Sequence, residues 1–136
     1  AGRLGGLRLP ARVPNGARPT SDRVREALCS ALDARGAFDD AVVLDLFAGT
    51  GALGFEALSR GARSLVSVDQ DPSALRAIEE NARALSLGNE ARRLRAELCT
   101  APKQALDKLK QRGLGPFSLV FADPPYAQSH VLPILC

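Results

Sequence analysis

Apolar residues recur along this chain in two rhythms. Val24, Leu28, Ala31 and Leu32 fall at helical spacing and predict a helix over about residues 21–35, capped by Thr20 or Ser21 and followed by Gly36. Val42-Val43-Leu44-Asp45-Leu46-Phe47 is a short apolar run, the mark of a buried strand. A helix over about 52–60 closes at Gly61, and Leu65-Val66-Ser67-Val68 is a second strand stopped by Asp69. Pro72 opens a third helix over about 72–86, ended by Gly88. A weaker strand near 92–98 and a helix over about 102–112 follow, with Gly113 and Gly115 beyond it. Phe117-Ser118-Leu119-Val120-Phe121-Ala122 is the last clear strand and runs into Asp123-Pro124-Pro125-Tyr126. Strand and helix alternating at this spacing call for parallel strands with crossover helices on both faces. Residues 1–17 read differently, as a basic extended arm or weak hairpin with a turn at Pro14-Asn15-Gly16, so that residues 18–136 form the main domain.

Composition narrows the class. Hydrophobic residues at 46% and charged residues at 24% of 136 residues describe one globular domain rather than a disordered or fibrous chain. No apolar run approaches the roughly 18 residues that cross a bilayer, so no membrane association is expected. No apolar signal-peptide region stands at the N-terminus either. Cys29, Cys99 and Cys136 form no Cys-x-x-Cys pair and His130 is the only histidine, so no metal site is expected and a reducing cytoplasm fits. The chain contains no methionine and stops soon after the Asp-Pro-Pro-Tyr segment, which leads us to expect missing residues at one or both ends.

Charge is uneven. Residues 1–25 hold Arg3, Arg8, Arg12, Arg18, Arg23 and Arg25 against Asp22 alone, a balance of +5, whereas the remainder carries 12 basic and 14 acidic side chains. A basic arm on a near-neutral domain suits a polyanion. Arginine outnumbers lysine 15 to 3, so the same pattern also fits a solvated surface with a compositional bias.

Two motifs carry candidate chemistry. Gly49-Thr50-Gly51-Ala52-Leu53-Gly54 follows a strand and opens a helix, where glycine lets the backbone turn tightly and approach a ligand. Asp69 ends the next strand and can accept both hydroxyl protons of a ribose. Asp45, four residues before Gly49, is poorly placed beside a pyrophosphate but suits a ligand with an ammonium or sulfonium group. That charge favours S-adenosylmethionine over NAD, and the absence of a Gly-Lys-Ser/Thr sequence excludes a Walker loop. At the end of the last strand, the Asp123 carboxylate and the carbonyls beside Pro124 and Pro125 are acceptors, and Tyr126 offers a face for stacking. Acceptors and a ring suit the exocyclic amine of a planar base. A strand-ending turn with a surface tyrosine is the plain alternative.

The chain resembles the RsmD family of bacterial ribosomal RNA (guanine-N2)-methyltransferases, within the class I adenosylmethionine-dependent superfamily. The likeness rests on Arg18-Pro19-Thr20-Ser21-Asp22-Arg23-Val24-Arg25-Glu26, on the stretch Leu44 to Gly54 with Glu56 to Ala62, on Asp69-Gln70-Asp71, on Asp123-Pro124-Pro125-Tyr126, and on the arm Gly5-Gly6-Leu7-Arg8-Leu9-Pro10. It implies a Rossmann-like α/β fold with a mostly parallel sheet. The superfamily's sheet normally has seven strands; four are read here, so the C-terminal strands are expected to be missing from the sequence. By the same resemblance Asp45, Gly49, Thr50, Gly51, Asp69, Gln70 and Asp123 would hold the cofactor, and Thr20 would close over it. Glu97 falls where the family usually has an aspartate near the adenine amine. Asp123, Pro124, Pro125 and Tyr126 would hold the target guanine, and Arg3, Arg8, Arg18, Arg23 and Arg25 would grip RNA. The implied partner is small-subunit ribosomal RNA, within the subunit or an assembly intermediate, and the protein is expected to act as a monomer. A DNA adenine amino-methyltransferase, a non-catalytic RNA-binding scaffold and a nucleotide-dependent dehydrogenase are the alternatives; neither Asp45 nor Asp-Pro-Pro-Tyr suits the last.

Overall fold

The structure is a computed structural model that describes residues 22–122. The arm over 1–17, Thr20, Ser21, Arg3, Arg8, Arg18 and the segment Asp123 to Tyr126 lie outside the described residues.

The elements run α1 (Asp22–Ala34), β1 (Val42–Leu46), α2 (Ala52–Ser59), β2 (Ser64–Asp69), α3 (Pro72–Ala84), β3 (Ala91–Arg95), α4 (Pro102–Gln111) and β4 (Leu119–Ala122). The strands form a parallel sheet in the order β3-β2-β1-β4, with Leu44 paired to Val66 on one side and to Val120 on the other. Parallel strands bury both faces, which is why the central runs are mostly apolar, with Asp45 and Ser67 as buried polar exceptions. Val43, Leu65 and Phe121 pack on one face with Cys29 of α1, Phe55 and Leu58 of α2 and Ile78 of α3. Leu44, Leu46, Val66, Val68 and Leu94 pack on the other face with Ala105 and Leu109 of α4. The chain therefore steps outward from β1 to β2 to β3 over one face. It then returns over the opposite face to β4. That reversal beside β1 is a topological switch point, where open α/β sheets bind ligands beyond the strands' carboxyl ends.

The expected order of elements holds, with local differences. Phe47 leaves the strand because its backbone turns to φ 59. β3 stops at Arg95, after which Ala101 donates to the Glu97 carbonyl in a turn. β4 begins at Leu119, since Ser118 is spent on hydrogen bonds to the Val42 backbone.

The buried face of α1 centres on Cys29. Val24 and Leu28 are exposed at 56% and 39%, and Ala31 is exposed as well. Cys29 is fully buried and Leu32 packs beside it. Glu26 and Asp33 flank Cys29 on one helical face, and both meet the Arg60 guanidinium at the end of α2. Burial also pushes the Cys29 thiol up to about 11 from 9.0, with the Glu56 carboxylate adding to the effect. Cys29 should therefore resist alkylation in the folded protein while the part-exposed Cys99 reacts, as peptide mass mapping after iodoacetamide would show. An unfolded thiol ionises near 9.0 and the folded one near 11, so the stability that Cys29 contributes is present below pH 9 and is lost as the pH rises toward 11. Equal labelling of the two cysteines at neutral pH would contradict this.

Candidate cofactor-binding site

The glycine loop is held on both sides. Ala48 continues the ladder by donating to the Val68 carbonyl at 3.0 Å, and Gly51 closes the turn by donating to the Ala48 carbonyl at 2.9 Å. Its glycines serve different ends. Gly51 has φ +83, and a Cβ there would lie 2.7 Å from Cε2 of Phe55 and 3.3 Å from Cγ1 of Ile78. Gly54 lets α2 approach β2, since its Cβ would lie 2.6 Å from Cδ1 of Leu65. Gly49 has φ +61 and meets nothing within 4 Å. Only Gly49 faces open space, so it is the loop glycine beside which a ligand fits. Phe47 enters the loop with φ 59, unfavourable for a bulky residue. That strained position immediately precedes the glycine loop, and strained residues often cluster at functional sites.

Asp69 ties the loop to β2. Its Oδ2 accepts from the Gly49 amide at 3.0 Å and its Oδ1 accepts from the Asp71 amide at 3.0 Å. A carboxylate has about four acceptor sites, so roughly two remain for a ligand. Asp71 in turn caps α3 by accepting from the Ser73 amide at 2.8 Å. Asn81, fully buried on α3, donates from Nδ2 to the Thr50 carbonyl at 3.0 Å. Glycine loop, β2 end and α3 are thus one hydrogen-bonded unit.

The other expected residues divide. Asp45 is buried near the end of β1, with Ser67 and Phe121 as its neighbours in register. Gln70 is exposed, and its carbonyl accepts from Nε of Arg95 at 3.3 Å. Glu97 is exposed just past β3 and accepts from the Thr100 hydroxyl at 2.8 Å. Gly49, Thr50, Gly51, Asp69, Gln70 and Glu97 therefore follow the carboxyl ends of three adjacent strands. Ala122, which precedes Asp123 in sequence, pairs with Leu46 at that same end. Arg23 is exposed and Arg25 half-buried, both on α1. Among the described residues no group of His, Cys, Asp and Glu could hold a metal ion, and no helix is long and apolar enough to cross a membrane.

A family model described as Conserved hypothetical protein 95 matches residues 1–136. The Escherichia coli (strain K12) protein named Ribosomal RNA small subunit methyltransferase D is 39% identical over 125 residues, 92% of this chain and 58% of that protein. The chain belongs to the RsmD family. The protein of the same name from Haemophilus influenzae is 38% identical over 127 residues, 93% of this chain and 62% of its own length. The chain thus spans about three-fifths of these two RsmD relatives. A solved structure of a hypothetical protein from Thermus thermophilus superposes with a TM-score of 0.78 at 34% identity, covering 99% of this chain and 75% of that one.

Sequence reading missed Asn81 and the structural duty of Asp69 in this RsmD-family site. The signal for Asn81 was present. It is the one polar residue in the stripe Ala74, Ala77, Ile78, Asn81 that α3 buries. The Gly49–Asp69 bond left no local signal, since it joins residues 20 apart.

Proposed function

We propose that this chain binds S-adenosylmethionine at the glycine loop and transfers a methyl group to the exocyclic N2 of a guanine in small-subunit ribosomal RNA. The observation that carries the cofactor reading is Gly49, which faces open space while its amide is pinned to Asp69. The names of the Escherichia coli and Haemophilus influenzae relatives support the RNA substrate. Small-subunit RNA as partner implies a cytoplasmic protein; a monomer is sufficient for the chemistry.

The residues fit the cofactor. Open space beside Gly49 admits its bulk, the remaining acceptor sites of Asp69 suit ribose hydroxyls, and the Asp45 charge suits a cationic end. Gln70 and Glu97 extend the same rim toward the adenine. When bound, S-adenosylmethionine supplies a methyl group activated by its sulfonium. The chain's own part is alignment, and good alignment of two reactants lowers a barrier by roughly 7–11 kcal/mol. Asp123 and the Pro124 carbonyl would accept from the guanine amine as positive charge grows on its nitrogen, a preorganised electrostatic contribution. Tyr126 would stack on the base once it has left its own stack, which costs a few kcal/mol. Asp123 need not be a strong base, because a methylated amine loses its proton readily. Arg3, Arg8, Arg18, Arg23 and Arg25 would contact phosphates.

Methyl transfer from labelled S-adenosylmethionine to small subunits, deproteinised 16S rRNA and DNA in parallel tests the reading. Label should enter RNA or subunits, and nucleoside mass spectrometry should find N2-methylguanosine. Asp123→Ala should slow transfer at least about tenfold, the worth of one charge-assisted hydrogen bond. Label in DNA adenine, or full activity of the variant, would overturn the assignment.

A further inference from the structure

Positive charge beyond the arm is gathered at one edge of the sheet. Residues 76–95 hold Arg76, Arg83, Arg92, Arg93 and Arg95 against Glu79, Glu80 and Glu90, although the chain after Arg25 is net negative. All five arginines are exposed. Among the described residues β3 is an edge strand, held inward by buried Leu94. Strand alternation then sends Arg92 over one face and Arg93 and Arg95 over the other. Across the edge, Arg76 and Arg83 lie two turns apart on the outer face of α3.

The acids near this edge are already engaged or outnumbered. Glu79 holds Arg83 at 3.3 Å and Arg93 at 2.9 Å, and both guanidinium groups stay open to solvent. Glu90 accepts from the Gly88 amide. Arg76 donates to the Ser73 hydroxyl and Arg95 to the Gln70 carbonyl, so their positive charges meet no carboxylate among the described residues. Arg60 and Arg63 are unlike these, since each is matched by acids. The row also starts at the candidate site, because Arg95 is the register partner of Asp69.

We infer that this edge, Arg76 and Arg83 of α3 with Arg92, Arg93 and Arg95 of β3, is a second phosphate-contacting surface for the RNA, separate from the N-terminal arm. The inference rests on the proposed RNA substrate. Guanidinium forks match phosphate oxygens two at a time, and arginines spread over two elements can follow a backbone without reading bases. Charges on an edge strand also prevent edge-to-edge pairing. That duty concerns the strand alone and leaves Arg76 of the helix unexplained.

Filter binding of deproteinised 16S rRNA over about 50–200 mM KCl tests this, with Arg76→Gln/Arg92→Gln against the control Arg35→Gln/Arg112→Gln, which removes equal charge elsewhere. The edge variant should bind roughly fivefold or more weakly at about 100 mM KCl, with a salt slope shallower by about 1–2, and should melt and bind S-adenosylmethionine like wild type. Wild-type affinity and slope, or an equal loss in both variants, would overturn the inference. So would self-association by light scattering with unchanged RNA affinity, which would leave the arginines as guards of the edge. Wild-type protein that neither binds nor methylates the RNA would instead sink the function proposed above and this surface with it.

Discussion

Asp69→Ala is expected to weaken S-adenosylmethionine binding by at least about 100-fold. In the proposed site Asp69 accepts two charge-assisted hydrogen bonds from a ribose; these would contribute roughly 1.5–3 kcal/mol each, and both would be lost. A second loss is built into this chain. Asp69 accepts the Gly49 amide at 3.0 Å, so its removal also frees the loop proposed to lie against the ligand. Part of the ordering that the fold now supplies would then fall to the binding step. Asp69→Asn separates the two contributions, because one carbonyl oxygen can still accept a single amide. Calorimetric titration should rank wild type above Asp69→Asn and Asp69→Ala weakest, with methyl transfer following the same order at low cofactor concentration. Unchanged affinity in Asp69→Ala would remove the ribose assignment.

Arg60→Met is expected to cost about 2–3 kcal/mol of folding stability. The Arg60 side chain is 6% exposed and meets Glu56 at 3.5 Å, Asp33 at 3.1 Å and Glu26 at 3.4 Å. Its loss leaves the Glu56 carboxylate, 9% exposed, without an ion-pair partner among the described residues. Breaking a buried pair from one side costs about 3–5 kcal/mol, and the figure is lowered here because Asp33 and Glu26 stay largely hydrated. Glu26→Gln should therefore cost under about 1 kcal/mol. Urea denaturation midpoints would read the difference. The double variant Arg60→Met/Glu56→Gln should regain part of the loss, since it no longer buries an unmatched charge. Equal costs for Arg60→Met and Glu26→Gln would show that burial does not set the energetics of this cluster.

Strands and loops were legible where their cause is local. The run Val42 to Leu46 is apolar but for Asp45 because both faces of a central parallel strand are covered, and Gly51 is glycine because φ +83 and Phe55 leave no room for a Cβ. Asp69 was found by its place after a strand, and its ligand-facing duty was inferred from that place. Its structural duty was not legible, because Gly49 lies 20 residues away and nothing in either segment announces the bond. Asn81 stood in plain view as a polar residue on a buried stripe, yet its partner, the Thr50 carbonyl, is 31 residues distant. The contact between Arg60 and Asp33 likewise joins residues 27 apart.

By itself, the amino-acid order determined the succession of helices and parallel strands, the tight glycine turn after β1 and the acid closing β2. Each follows from spacing, backbone freedom or burial within a short window. Only the tertiary structure decided which face of α1 is buried, which of three loop glycines looks outward, and that arginines of α3 and β3 share one edge. Those outcomes depend on residues far apart in the chain meeting across packed elements, which no short window of sequence contains.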